Sequence, residues 1–164
     1  MKINLSALTA IYLHEMDRFR RTLTQSLLSP VLTTSLYFIV FGSVIGGYVE
    51  KIDGISYGSY IVPGLLMLTL LTQSISNTSF GIFFPKFNGT IYEILAAPIS
   101  TLEVVLAFVG AGATKTLIVS IVIFITSLFF VDVQVKYPFL MVFLLILVAF
   151  TFALFGFLIG LMSS

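Results

Sequence analysis

No charged side chain interrupts the sequence over residues 22–49, 54–85 or 137–164. A fourth, Val104 to Val131, is broken only by Lys115. Crossing a hydrocarbon core as a helix takes about 20 apolar residues, and each stretch is long enough. The pattern therefore predicts an all-α integral membrane protein, a single transmembrane domain over residues 1–164 with spans at about 31–48, 58–84, 104–130 and 137–161.

Ahead of the first span the pattern changes. Leu8, Tyr12, Met16, Phe19, Leu23 and Leu27 recur every three or four residues, which marks one stripe of a helix, while His14, Asp17, Arg18, Arg21 and Gln25 fall opposite. An amphipathic helix within residues 1–29 is expected, lying in the membrane surface with its basic side toward lipid head groups. Glu15 intrudes on the apolar stripe. Ser29 followed by Pro30 resembles an N-cap with a first-turn proline, placing the start of the first span at about Val31.

The connection from Val49 to Tyr57, with Glu50, Lys51, Asp53 and Gly54, predicts a tight turn-around. The second span carries a polar belt of Thr69, Thr72, Gln73, Ser74, Ser76, Asn77, Thr78 and Ser79, so it does more than face lipid. Beyond it, Thr90 with Glu93 and Ser100 with Glu103 each fit the capping box, in which hydroxyl and carboxylate satisfy each other's orphan backbone amides. Asn88-Gly89 supplies a turn before the first box and Pro98 cannot continue the helix it opens, so Ile91 to Ala97 reads as a short helix standing apart from the third span. Lys2, Arg18, Arg20, Arg21 and Lys86 fall on one side of the membrane and Lys51 and Lys136 on the other. The positive-inside rule then puts the N-terminus and the short helix in the cytoplasm.

Composition narrows the function classes. Hydrophobic residues make up 59% and charged residues 9%, against about 25% charged in soluble domains, and the mean hydropathy is +1.14. A net charge of +1 with scattered basic residues argues against nucleic acid as a partner. There is no cysteine and one histidine, so neither a thiolate nor a family-type zinc site is expected. His14-Glu15 lacks the second histidine of H-E-x-x-H. Gly110 to Thr116 lacks the Gly-Lys pair of a phosphate loop and sits within a span. With no catalytic constellation, the chain is expected not to be an enzyme.

The ordered set of a surface helix ending in Leu28-Ser29-Pro30, the Val62-Pro63-Gly64 start of the second span, and the run from Asn88 to Ser100 (Asn-Gly-Thr-Ile-Tyr-Glu-Ile-Leu-Ala-Ala-Pro-Ile-Ser) resembles the ABC-2 type transporter permeases over nearly the whole chain. The resemblance implies a membrane subunit of an exporter in a bacterial inner membrane, paired with a second permease copy and driven by a separate ATP-binding subunit. ATP and magnesium are then expected on that partner and no cofactor in this chain. It also implies that residues 88–100 are the coupling segment, with Asn88, Gly89, Thr90, Tyr92, Glu93, Pro98 and Ser100 as its site residues, and that the N-terminal helix is the connecting helix. Members of that family are commonly longer and carry more spans, so the chain resembles the N-terminal part of a permease.

Two features stay open on sequence alone. Lys115 either lines a substrate pathway or snorkels toward the cytoplasmic edge. Thr69, Gln73 and Asn77 share a face that either borders the path or bonds to a neighbouring helix. Gly42 with Gly46 and Gly156 with Gly160 match G-x-x-x-G, a spacing that permits close helix approach. A small secondary transporter or channel, or a structural membrane protein, is the alternative that works without an ATPase. The cargo is not identified by any of these residues.

Overall fold

The computed structural model describes residues 4–45, 48, 51–52 and 54–163. Helix α1 spans Leu5–Arg21 and α2 spans Leu23–Val40, followed by a π-helical turn at Phe41–Ile45. Strands β1 (Lys51–Ile52) and β2 (Ile55–Ser56) pair antiparallel in a small hairpin, with Gly54 at φ 82° in the turn, where only glycine is unstrained. Then come α3 (Tyr57–Phe87), the short α4 (Ile91–Ala96), α5 (Thr101–Phe130) and α6 (Pro138–Met162). Four of these, α2, α3, α5 and α6, are long and apolar enough to cross a membrane.

The start of the first span differs from expectation. Thr22, at φ −104° and ψ 14°, both ends α1 and begins α2, so Pro30 lies inside a helix rather than at its first turn, and Ser29 is not a cap. Its missing N–H leaves the Ser26 carbonyl without the usual donor four residues on. The surrounding packing outweighs this local cost, because Pro30, Thr34 and Phe38 are all buried along one side of α2.

Helix α1 also takes an unexpected course. Asn4 meets Glu103, Tyr12 meets Thr114 and Glu15 meets Lys115, so α1 runs beside α5 in the same direction instead of across it. The stripe read from the sequence is the inner face, with Phe19 buried and Ile11, Met16 and Leu23 packed on the core. It covers protein, whereas His14, Asp17 and Arg21 remain exposed.

Helix α5 is the most buried, packed against α1, α2, α3 and α6, and α3 lies against both α5 and α6. On α6, Ala149, Ala153, Gly156 and Gly160 are buried at spacings of four, three and four, forming one small-residue stripe. A methyl group added at Gly156 would lie 2.5 Å from the Ile75 carbonyl oxygen, and one at Gly160 would lie 2.7 Å from that of Ser79. The second G-x-x-x-G is thus a true helix contact, in which missing side chains let backbones touch. That matters in lipid, where burial from water cannot hold helices together and dispersion contacts must. Of the first, Gly46 lies outside the described residues. The opposite face of α6 turns large side chains such as Phe139, Phe143 and Phe155 outward, which suits a lipid surrounding.

Candidate functional site

The connection between α3 and α5 forms the short helix expected there. Asn88 caps α3, Gly89 turns the chain at φ 77°, and α4 follows from Ile91 to Ala96. Ala97, before Pro98, is extended at φ −72° and ψ 148°, as the proline ring requires of its predecessor. Only the second capping box forms. Thr90 sits in helical geometry at ψ −18°, which points its hydroxyl away from the amides it was expected to cap, and it makes no side-chain cap bond. Ser100 is extended, accepts from the Glu103 amide at 3.4 Å, and donates its own amide to Glu103 Oε2 at 2.8 Å.

Glu103 has a second duty that its sequence position does not suggest. Its other oxygen, Oε1, accepts the Asn4 amide at 2.5 Å, so one carboxylate holds the first turns of α1 and α5 together. Negative charge at two helix N-termini is favourable to both. Every residue of α4 is at least partly exposed, with Tyr92 73% and Leu95 68% accessible. On its inner side Ile91 and Ile94 pack on the core, beside an apolar cavity of about 770 Å³ bounded by α3, α4, α5 and α6. At that end Lys86 Nζ donates to the Leu161 and Ser163 carbonyls at 2.7 and 2.5 Å, fastening α3 to the end of α6.

Lys115 turns inward, toward α1. It is 4% exposed, and its ammonium donates to Glu15 Oε2 at 2.7 Å. Arg18, one turn after Glu15, reaches the same oxygen at 3.0 Å and lies over the Phe84 ring at 6.0 Å. Glu15 and Arg18 also wall a cavity of about 400 Å³ whose other side includes Asn88 and Thr90, at the start of the connection between α3 and α5. The signal for this pair was present as two oddities, a carboxylate on an apolar stripe and a lone lysine in a span. Their meeting depends on α1 lying on α5.

The polar belt of α3 divides. Asn77 turns to α5, donating to Thr116 Oγ1 at 3.4 Å, in a tightly packed region where Gly112 leaves room for Thr78. Thr69, Thr72 and Gln73 instead face α2, across a groove of about 250 Å³ shared with Ser29, Thr33 and Tyr37. The face shared by Thr69, Gln73 and Asn77 on paper is therefore two surfaces.

The family described as ABC-2 type transporter matches residues 6–164. The chain is 39% identical over 158 residues to proteins named inner membrane transport permease YadH in Escherichia coli K12, in Escherichia coli O157:H7 and in Shigella flexneri. The aligned part is 96% of this chain and 62% of each relative, so the chain spans less than two thirds of their length. No solved structure matches it.

Proposed function

The chain belongs to the ABC-2 type transporter family, a multi-pass inner-membrane protein of the transport permease kind, and from that premise we propose that it is the membrane-spanning subunit of an ATP-driven exporter. A separate ATP-binding subunit, with its own ATP and magnesium, grips α4 on the cytoplasmic side, and a second permease copy completes the substrate pathway. The chain itself hydrolyses nothing.

The observation that carries this reading is the mounting of α4. A six-residue helix with exposed Tyr92, Glu93 and Leu95 borders a cavity and packs Ile91 and Ile94 on the core, joined by short turns to two spans. A push on α4 passes through Pro98 and the Ser100–Glu103 box into α5, and through Glu103 Oε1 into α1. Moving one short lever thus moves two helices together, as coupling to a soluble motor requires. The alternative that works without an ATPase, a secondary transporter, needs a free acidic site within the bundle. Among the described residues Glu15 is the buried carboxylate nearest to that role, and it is already shared by Lys115 and Arg18.

The test is co-purification with the cognate ATP-binding subunit. Glu93→Lys together with Tyr92→Ala is expected to abolish capture while leaving the permease monodisperse. Undiminished capture by that variant, or labelling of a cysteine at Leu95 only from the periplasmic side, would overturn the proposal.

A further inference from the structure

We propose that α3 and α5 meet along a sliding seam with two hydrogen-bond registers one helical turn apart, of which the structure holds one. The slip belongs to the interior of the bundle and does not depend on what displaces α4, although α4 is the link between these two helices.

The seam contains polar groups that the present register leaves unused. Ser74, Thr78 and Ser120 are 0%, 1% and 2% exposed, and none of their hydroxyls has a hydrogen-bond partner. Buried polar groups are ordinarily paired, because an unpaired one costs free energy in apolar surroundings. Thr69, Thr116 and Thr126 avoid that cost by turning back to the carbonyl four residues earlier. The three seam hydroxyls do not.

The register explains why. Thr78 lies against Gly112, which has no side chain to offer it. Counting turn by turn from that contact, in opposite directions along the two antiparallel helices, sets Ile82 by Phe108, Ser74 by Thr116 and Leu70 by Ser120. Ile82 and Phe108 do share a core cluster. Thr116 is already engaged, donating to the Gly112 carbonyl at 2.9 Å and accepting from Asn77 at 3.4 Å, and Ser120 is matched by this count with a leucine. Moving α3 one turn, about 5.4 Å, toward its own N-terminus sets Thr78 opposite Thr116 and Ser74 opposite Ser120. Hydroxyl then meets hydroxyl. One-turn shifts of packed elements are discrete switches, because interlocked side chains have few alternative fits.

The rest of the bundle is divided in a way that allows this. Helix α1 is bonded to α5 at Asn4–Glu103, Tyr12–Thr114 and Glu15–Lys115, whereas Gly156 and Gly160 bring α6 onto the backbone of α3. Among the described residues, the Asn77–Thr116 bond at 3.4 Å is the one side-chain hydrogen bond between α3 and α5.

The test uses the chain in nanodiscs. It has no cysteine, so Phe87→Cys and Phe129→Cys, both exposed and at opposite ends of the seam, carry the only two spin labels. Double electron–electron resonance is expected to show two label distances about 5 Å apart. Thr78→Val with Ser120→Ala breaks both hydroxyl pairs of the second register and removes nothing bonded in the first. The weight of the shorter distance is expected to fall at least fivefold, the scale of a lost hydrogen bond, with no loss in melting temperature. Ser120→Ala alone serves should the double variant aggregate, and Thr151→Val, on the exposed side of α6, leaves both distances as they were. A single distance in the unsubstituted seam, or a shorter-distance weight indifferent to the seam variants, would overturn the proposal. So would a melting temperature well below that of Thr151→Val, since the hydroxyls would then already be paired. Because the readout needs no ATPase, its failure is separable from a failure of the α4 capture test.

Discussion

Glu15 and Lys115 stand 100 positions apart in the chain and meet at 2.7 Å, both almost fully buried, one on α1 and one halfway along α5. Neither side chain is tolerable alone in that place. A buried ion pair adds little over an apolar pair of the same shape, but removing one partner strands the other charge, at a cost of about 3–5 kcal/mol.

Lys115→Met is accordingly expected to destabilise the protein strongly, toward the lower end of that range because Arg18 still reaches the carboxylate. Adding Glu15→Leu to Lys115→Met should recover most of the loss. Thermal unfolding in detergent, followed by size-exclusion chromatography, checks both. If the double variant is as unstable as the single one, the pair matters for more than mutual neutralisation.

The α3–α6 contact makes a size prediction. Gly156→Ala forces a methyl group against the Ile75 backbone, which cannot rotate aside, so the helices must separate. An overpacking cost of about 1–3 kcal/mol follows. Gly64→Ala, in α3 with nothing within 4 Å of the new methyl, should be neutral or gain up to about 1 kcal/mol from helix propensity. Melting temperatures that fall equally for both would refute the close approach.

The two threonine-or-serine boxes are expected to behave differently. Ser100→Ala removes a formed cap and costs about 1 kcal/mol, whereas Thr90→Ala removes none and should stay within about 0.5 kcal/mol. Glu103→Ala goes further, since it also releases Asn4. Hydrogen exchange should then quicken in the first turns of both α1 and α5, while Ser100→Ala quickens α5 alone. Exchange in α1 that ignores Glu103 would show that the Asn4 bond contributes nothing.

Gly89 is the hinge between α3 and α4, and its φ of 77° is strained for any side chain. Gly89→Val is expected to lower stability by about 1–2 kcal/mol and to tilt α4. Capture of the ATP-binding subunit should therefore weaken more than the melting temperature falls. An equal fall in the two would mean that the turn is structural only.

Much of this protein is legible from its sequence because each signal is local. Charge-free stretches specify spans, since lipid penalises charge wherever it occurs, and Asn88-Gly89, Pro98 and the Ser100–Glu103 spacing bound α4 through bonds a few residues long. Gly156 and Gly160 likewise announce a close contact, though not with which helix. What the tertiary structure alone decided is everything that depends on which helix lies beside which. Pro30 is kept inside α2 by packing that outweighs a lost backbone bond, and Thr90 fails to cap because the turn at Gly89 fixes its backbone first. Thr69 and Gln73 part from Asn77 only once α2 and α5 stand on different sides of α3. The lysine in a span and the carboxylate on an apolar stripe remain two separate anomalies until α1 is laid along α5, because burial makes a charge depend on a partner that sequence distance conceals.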